Sequence, residues 1–173
     1  MTRTEIPTLE TTRLRLRAPE MRDFEAYADF RGSNRAKTVG GPFTRAQSLD
    51  DFAALLGYWD LRGFGRWIIA EKASDEAVGV TGLFFPDSWP EPEIAWSLFE
   101  HGTGKGFATE AAIAARDYAY DTLGWTTVVS MIDAVNTSSI RVAERMRATK
   151  EDTYDTRYGM LDMWRHLSPE ARP

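Results

Sequence analysis

Hydrophobic and polar residues recur along the chain with periods that predict a succession of strands and helices. Residues 12–18 alternate, with Leu14 and Leu16 between arginines, which is the period of a half-buried strand. Two helices should follow, because large apolar residues then recur at three- and four-residue spacing. Their predicted core-facing stripes are Met21, Phe24, Tyr27 and Phe30 in the first helix and Leu49, Phe52, Leu56 and Trp59 in the second.

The middle of the chain predicts a hairpin, a further strand and a long helix. The hairpin consists of residues 67–70 and 78–85, and the segment 86–92 should be an exposed loop because its three prolines lack N–H donors. A strand over residues 93–99 then leads into a helix over residues 105–123. Small residues along one face allow this helix to pack closely on a sheet, and they are Ala108, Ala111, Ala112, Ala115 and Ala119.

The strand at 93–99, the long helix and a β-branched strand at 126–132 form a strand–helix–strand unit. Such a crossover joins parallel strands with a right-handed connection, and ligands of these units bind beyond the carboxyl ends of the strands. A helix over 137–147 and two short strands, 153–158 and 160–165, should complete the chain. We therefore expect a mixed α/β (α+β) fold with a mostly antiparallel central sheet, one parallel crossover and helices on both faces.

The glycine-rich loop Gly102–Ala111 is a candidate cradle for a pyrophosphate. Glycines allow tight turns, and the N–H groups of a first helical turn point outward at the positive end of the helix dipole. The loop lacks the nucleoside-triphosphatase motif, because Lys105 is followed by Gly106 rather than by Ser or Thr. A dinucleotide fold is disfavoured, because the nearest acidic candidate, Asp121, lies on the same helix. A flexible connection without a ligand is the alternative.

Composition excludes several classes of protein. With 26 acidic and 21 basic residues and a net charge of -5, the surface should repel nucleic acid. The absence of cysteine excludes disulfides and thiolate chemistry, and His101 and His166 lack metal-ligand spacing, so no metal is expected. The segment Met1–Pro7 lacks the apolar core of a secretion signal. We expect a single cytoplasmic domain over residues 1–173 that binds no membrane.

A second polar cluster, Asn136–Ser139, follows the second parallel strand at the start of the next helix. Its side chains should therefore face the same crevice as the glycine-rich loop. Asn, Ser and Thr are also favoured at helix N-termini, so capping alone is the alternative role. In a functional role, the cluster would hydrogen-bond the amide arm of a long ligand whose pyrophosphate lies on residues Gly104–Ala108.

Four motifs in order resemble those of the GNAT superfamily of N-acetyltransferases, and more narrowly its RimJ/RimL branch, which acetylates N-terminal amines of ribosomal proteins. The motifs are Leu9–Arg17, Glu93–Trp96, Gly104–Ala111 and Asn136–Val142, and the resemblance covers residues 8–167. It implies a sheet splayed around acetyl-CoA and direct transfer of an acetyl group to a primary amine of a peptide N-terminus or a small molecule. A domain that senses CoA or binds a partner without turnover is the alternative, and a homodimer is one option for the assembly.

The resemblance also implies where acetyl-CoA binds. The pyrophosphate would lie on backbone N–H groups of the glycine-rich loop, the pantetheine would pair with the end of the strand at 93–99, and the polar cluster would contact the pantetheine arm. The cofactor-binding residues implied in this way are Leu98, Phe99, Thr103, Gly104, Lys105, Gly106, Phe107, Ala108 and Asn136.

Acetylation of an amine requires two proton movements. An alkylammonium has a pKa of about 10 and must lose a proton before it attacks, and the departing thiolate must be protonated or stabilised. Glu93, beside the implied cofactor, is the candidate base, directly or through water, with an exposed strand-edge carboxylate as the alternative. Ser139 is the candidate hydrogen-bond donor to the sulfur, with helix capping as its rival role. Tyr154 and Tyr158 are further candidate proton donors.

The chain departs from the family pattern at the end of the last helix. Family members commonly have Leu-Gly-Phe there, whereas this chain has Met146, Arg147 and Ala148. Glycine is the usual residue for the left-handed turn that ends a helix. Without it, we expect this helix to end in a different way.

Overall fold

The computed structural model describes residues 4–173, which contain an eight-stranded sheet flanked by helices. The strands are β1 (Leu9–Glu10), β2 (Leu14–Arg17), β3 (Arg66–Glu71), β4 (Ala77–Phe84), β5 (Glu93–Leu98), β6 (Val129–Ile132), β7 (Thr149–Thr156) and β8 (Gly159–Arg165). The α-helices are α1 (Phe24–Arg31), α2 (Arg45–Arg62), α3 (Phe107–Asp121) and α4 (Thr137–Arg145). Short 3₁₀ segments occupy Met21–Asp23, Asn34–Val39 and Glu100–Gly102.

The sheet is mixed but mostly antiparallel, as predicted. In sheet order the described strands are β1, β2, β3, β4, β5, β6, β8 and β7, and each neighbouring pair is antiparallel except β5 with β6. Helix α3 makes the crossover between these two parallel strands. The fold class predicted from the periodicity and the crossover is therefore confirmed.

The N-terminal residues Met1–Arg3 lie outside the described residues, and with them part of the segment in which we identified no secretion signal. Among residues 4–173, no helix has both the length and the apolar character needed to cross a membrane.

The sheet is covered on both faces, and α3 lies closest to its centre. The alanine face of α3 is buried against β4 and β5, as the spacing of the small residues predicted. Small side chains let the helix backbone approach the sheet closely, which fixes the position of the first turn of the helix. On the opposite face, α1 and α2 pack aromatic and aliphatic side chains, among them Phe24, Tyr27, Phe52 and Leu55.

The core-facing stripe of α2 is partly out of phase with the prediction. Its buried face consists of Ser48, Phe52, Leu55 and Trp59, whereas Leu49 is 43% exposed. The Ser48 hydroxyl donates to the Thr44 carbonyl at 2.9 Å, so a polar residue is satisfied within the helix and can face the core. Met21 was also predicted in the core, but it lies in a 3₁₀ turn before α1 and is 67% exposed.

The proline-rich segment 86–92 is not the fully exposed loop that we predicted. Trp89 is only 6% exposed, and its ring packs edge-on against Phe84 at 6.0 Å and Tyr158 at 5.5 Å. A buried tryptophan removes a large apolar area from water, which outweighs the polar character of the segment. The segment thereby forms a wall of the space between the two parallel strands.

Helix α4 ends in a left-handed turn although no glycine is present. Arg147 has a φ of 62°, its N–H donates to the Glu144 carbonyl at 2.9 Å, and the Ala148 N–H donates to the Ala143 carbonyl at 2.9 Å. These two hydrogen bonds have the Schellman pattern that glycine usually closes. The expected difference in how the helix ends is therefore wrong, because an arginine adopts the same conformation at a cost of roughly 1–2 kcal/mol.

Candidate active site

The two parallel strands separate soon after they begin. Their ladder contains one residue pair, Glu93 with Val129, whereas each strand continues along its antiparallel neighbour on the other side. Two side chains bridge the gap beyond that pair. Glu93 Oε2 accepts a hydrogen bond of 2.7 Å from the Met131 N–H. Ser130 Oγ donates to the Ile94 carbonyl at 2.6 Å, and the strands then diverge around a crevice.

The crevice contains two connected spaces. A groove of about 870 Å³ extends from the glycine-rich loop to the end of β5 and the start of α4. A cavity of about 100 Å³, which we call the inner cavity, lies among the 34–39 segment, β5, β6 and the turn between β7 and β8. The residues that line both spaces are Thr38, Val39, Trp96, Ser97, Asn136 and Ser139. A long ligand in the groove can therefore reach a small ligand in the inner cavity.

The groove begins at the first turn of α3, where backbone donors are unpaired. Gly104 and Gly106 have φ values of 78° and 80°, in the left-handed region that favours glycine. Among residues 4–173, no acceptor pairs with the N–H groups of Phe107, Ala108 or Thr109, and the buried Thr109 hydroxyl also lacks a partner. Unpaired donors at the positive end of a helix dipole suit an anion such as pyrophosphate.

Arg13 lies beside this turn, which the sequence alone did not indicate. Its guanidinium forms an ion pair with Glu110 at 2.8 Å, donates to the Lys105 carbonyl at 2.8 Å and lies 4.8 Å from the centre of the Phe107 ring. The Lys105 ammonium lies 3.7 Å from Glu71, and the residue does not line the groove. Alternation over residues 12–18 predicted a half-buried strand, but not that α3 would be the neighbour of Arg13 in space.

The end of β5 lines the groove with Trp96, Ser97 and Leu98. The Leu98 carbonyl faces it and accepts a hydrogen bond of 3.2 Å from Arg35 Nη2. Phe99, which the resemblance also implied as a pantetheine contact, donates its N–H to the Val78 carbonyl at 2.9 Å and is 2% exposed. Neighbouring residues of a strand direct their backbone groups to opposite edges, so the structure brings Leu98 to the groove but not Phe99.

Glu93 lies in the inner cavity and is 5% exposed, rather than at an exposed strand edge. Burial raises the pKa of Glu93 to about 7, against the opposing effects of the Met131 N–H, the Trp89 indole and the positive charge of Arg66. The Trp89 N–H is itself buried without a hydrogen bond of normal geometry, so its effect is that of a nearby dipole. A carboxyl group with a pKa near 7 exchanges protons readily at neutral pH.

Asn136 caps α4 and thereby fixes Ser139 between the two spaces. Its Oδ1 accepts hydrogen bonds from the Ser139 N–H at 3.2 Å and from Ser138 Oγ at 3.1 Å. The capping role that we weighed for Asn136 is therefore present in the structure. The Ser139 hydroxyl has no hydrogen-bond partner among residues 4–173 and lines both spaces, so it is free to donate to a ligand.

The walls of the inner cavity come from distant parts of the chain. Tyr158, one of the two tyrosines considered as proton donors, lines it and packs on Trp89, whereas Tyr154 does not line it. Arg31 and Arg66 add positive charge from α1 and β3. No local pattern links these positions, so sequence reasoning did not find the two arginines.

The chain resembles known acetyltransferases in sequence and in structure. The family model described as "Acetyltransferase (GNAT) domain" matches residues 13–149. An acetyltransferase from Agrobacterium tumefaciens str. C58 is 37% identical and has a TM-score of 0.86, with 94% of this chain and 95% of that chain covered. A Bacillus licheniformis protein named "Uncharacterized N-acetyltransferase p20" is 28% identical over 148 residues, which is 83% of each protein.

A more distant solved structure shares the fold. It is the RimL ribosomal L7/L12 alpha-N-protein acetyltransferase in complex with coenzyme A, which is 19% identical and has a TM-score of 0.74, with 93% of this chain and 98% of that chain covered. The match to the family model, from before β2 to the start of β7, spans both sides of the crevice. The chain therefore belongs to the GNAT family of acetyltransferases and is an acetyl-CoA-dependent acyltransferase.

Proposed function

We propose that the protein transfers the acetyl group of acetyl-CoA directly to a primary amine bound in the inner cavity. The observation that carries this proposal is the junction of the two spaces at Asn136 and Ser139. The groove has unpaired backbone donors at one end, and at the other it opens into the cavity that contains Glu93. Donor and acceptor can therefore lie side by side, and their positioning alone would supply a large part of the acceleration.

The polar groups of the groove fit coenzyme A. The unpaired N–H groups of Phe107, Ala108 and Thr109 would hold the pyrophosphate beside Gly104 and Gly106, and the buried Thr109 hydroxyl is an additional donor. The Leu98 carbonyl and the Asn136 amide would contact the pantetheine, once Arg35 releases the Leu98 carbonyl. When bound, acetyl-CoA supplies an acetyl group activated as a thioester.

Glu93 is the proposed base. A primary amine is protonated at neutral pH, so it must lose a proton before it can attack a carbonyl carbon. The Glu93 carboxylate would accept that proton, directly or through a water molecule, and its raised pKa makes it a stronger base than an exposed glutamate. The N–C bond forms as the C–S bond breaks, and of the two protons that the ammonium loses, one passes through Glu93 to solvent and the other goes to the thiolate.

Ser139 is the proposed donor at the sulfur. Its hydroxyl lies where the groove meets the inner cavity and has no partner among residues 4–173. A hydrogen bond to a group that becomes negatively charged grows stronger as the charge develops, so it favours the transition state over the ground state. Tyr158, also in the inner cavity, is the second candidate for returning a proton to the thiolate.

We propose that the acceptor is a peptide N-terminus or a small molecule with a primary amine. We also propose that the protein is related to the RimJ/RimL branch of the family. The support is the set of four ordered motifs and the fold shared with RimL, which is named for acetylating L7/L12. The inner cavity has room for a group of a few heavy atoms, so the amine end of the acceptor enters it.

Thiol release from acetyl-CoA in the presence of a panel of primary amines tests the proposal. We expect release that depends on both protein and amine, and an amine product heavier by one acetyl group. Isothermal titration should show acetyl-CoA binding to wild type and Glu93→Gln alike. Binding without amine-dependent release would instead identify a CoA-binding sensor, and the lack of acetyl-CoA binding would contradict the proposed groove.

A further inference from the structure

Arg66 is a half-buried arginine in the inner cavity without a counter-ion. Its guanidinium lies 4.3 Å from the centre of the Phe84 ring. Among residues 4–173, no carboxylate lies within ion-pair distance of it and no acceptor takes a hydrogen bond from its side chain. Charged side chains that leave bulk water are normally paired, so an unpaired guanidinium in a ligand cavity points to an anion that comes from outside the chain.

The register of the sheet places Arg66 on the same face as Glu93, two strands away and offset by two residues. Arg66 on β3 pairs with Gly82 on β4, and Phe84 on β4 pairs with Glu93 on β5. Residues two apart on a strand share a face, so Arg66, Phe84 and Glu93 all lie on the face of the sheet that α1 and α2 cover. The Arg66 guanidinium lies over the Phe84 ring, and Phe84 pairs with Glu93 on the next strand, so the two charged groups can bind different parts of one molecule.

The carboxylates that line the inner cavity with Arg66 interact with other groups. Asp51 forms an ion pair with Arg31 at 3.2 Å and accepts a short hydrogen bond from the Tyr27 hydroxyl. Asp133, which also lines the cavity, accepts a hydrogen bond of 3.0 Å from the Val135 N–H. Glu93 itself has a pKa of about 7, so near neutral pH it carries only part of a negative charge. None of these carboxylates is paired with Arg66, so the N–H donors of its guanidinium are open to a ligand.

We propose that the acceptor carries an anionic oxygen group, a carboxylate or a phosphate, close to its primary amine, and that Arg66 binds this group while the amine lies toward Glu93. This inference rests on the proposed acetyl transfer and names its class of acceptor. A guanidinium held against an aromatic ring presents its N–H donors in a fixed plane, which suits two-point binding of an oxyanion. The small volume of the inner cavity requires the two groups to be a few bonds apart.

The test uses acceptors that differ only in charge. Suitable pairs are β-alanine with β-alaninamide, 4-aminobutyrate with 4-aminobutanamide, and the dipeptide amides Ser-Asp and Ser-Asn, and 2-aminoethylphosphonate represents the phosphate source. We expect wild type to acetylate the anionic member of at least one pair about 10- to 100-fold faster in kcat/KM, the range that a charge-assisted hydrogen bond supplies. Faster acetylation of the carboxylates would identify a carboxylate as the anionic group of the acceptor, and faster acetylation of the phosphonate would identify a phosphate.

Arg66→Met should abolish this preference, which is measured as the ratio of kcat/KM for the anionic and the uncharged member of each pair in one and the same variant. Arg62→Met is the matched control, because Arg62 lies over Phe85 at 4.9 Å in the same way but pairs with Asp87 and does not line the inner cavity. Thermal unfolding and acetyl-CoA binding of both variants establish that each is folded. Arg62→Met should retain the preference for the anionic acceptors.

The outcomes separate this inference from the proposed function. Equal kcat/KM for anionic and uncharged acceptors, or a preference that survives in Arg66→Met, would overturn the anion site and leave acetyl transfer standing. If no amine releases thiol, acetyl transfer itself is in error. Titration of the same carboxylates and the phosphonate into the CoA-saturated protein then decides the anion site, since only wild type and Arg62→Met should bind them.

Discussion

The Glu93 carboxylate accepts a hydrogen bond of 2.7 Å from the Met131 backbone N–H at the point where the ladder between the parallel strands ends. A side-chain oxygen thus takes the place of a main-chain carbonyl at the fork of the sheet. The same carboxyl group lines the inner cavity, where an acceptor amine would bind. Substitution of Glu93 should therefore affect both turnover and stability.

Glu93→Gln should lower kcat/KM for the amine by about 10²- to 10³-fold, because a positioned base contributes roughly 10²- to 10⁴-fold. The glutamine carbonyl can still accept the Met131 hydrogen bond. Since the carboxylate forms as pH rises past its pKa of about 7, wild-type kcat/KM should rise through about pH 7, and the variant should lack this limb. Initial rates between pH 5.5 and 9 measure it.

Glu91→Gln is the control for that profile, because Glu91 forms an ion pair with Arg165 at 2.7 Å and does not line the inner cavity. It should retain the wild-type rate and the wild-type pH dependence. If kcat/KM of Glu93→Gln still rose through about pH 7, the pH dependence would come from a group other than Glu93.

Glu93→Gln should also change the pH dependence of the free energy of unfolding. The carboxyl of Glu93 has a pKa of 4.5 as an ordinary glutamate and about 7 in the folded protein, so the native state binds the proton more tightly. Its contribution to stability is present below pH 4.5 and is lost as pH rises through 7. Relative to wild type, Glu93→Gln should gain about 3 kcal/mol between pH 4.5 and 8, at about 1.4 kcal/mol per pKa unit. Urea unfolding at both pH values measures this, and a constant difference would contradict it.

Ser139→Ala should lower kcat about 10-fold with little change in the KM for acetyl-CoA, because the hydroxyl acts on charge that develops during transfer. Ser138→Ala is the matched control: the Ser138 hydroxyl donates to Asn136, and the residue does not line the inner cavity. Steady-state kinetics of both variants provide the test. Equal rates for the two would remove Ser139 from the proposed chemistry.

Arg147→Gly should raise the free energy of unfolding by about 1 kcal/mol, because glycine adopts the left-handed conformation without steric cost. The same change at Arg141, an exposed residue in the middle of α4, should instead lower stability by about 1 kcal/mol. Chemical denaturation of the two variants measures the difference in sign. Destabilisation by Arg147→Gly would mean that the arginine side chain contributes more than its backbone conformation costs.

The parts of the fold that follow from local periodicity were predictable. The strand at Leu14 and the alanine face of α3 each depend on residues that are neighbours along one element, and both elements were confirmed, although Arg17 is buried and breaks the predicted alternation. The glycine-rich loop was equally local, because its φ values and the unpaired donors after Gly106 belong to one turn. The crossover followed from the order of the elements.

Features that depend on contacts between distant segments were not predictable. Arg13 reaches the glycine-rich loop across 92 residues, and the sequence contains no sign of that proximity. The phase error in α2 has a different, local cause: the Ser48 hydroxyl donates to the Thr44 carbonyl within the helix, so a polar residue can face the core. Phe99, directly after β5, does not face the groove because its backbone N–H points to the neighbouring strand and donates to the Val78 carbonyl. Only the register of the sheet reveals this direction.

Isothermal titration of acetyl-CoA into wild type, Gly106→Ala and Gly124→Ala tests most directly whether the first turn of α3 binds the pyrophosphate. Both glycines have left-handed φ values, 80° and 72°, and they lie at opposite ends of α3, so both substitutions strain the backbone similarly. Only a Cβ at residue 106 would lie beside the proposed anion site. We predict that Gly106→Ala weakens binding at least about 10-fold and that Gly124→Ala leaves it unchanged, whereas equal affinities for all three proteins would contradict the account.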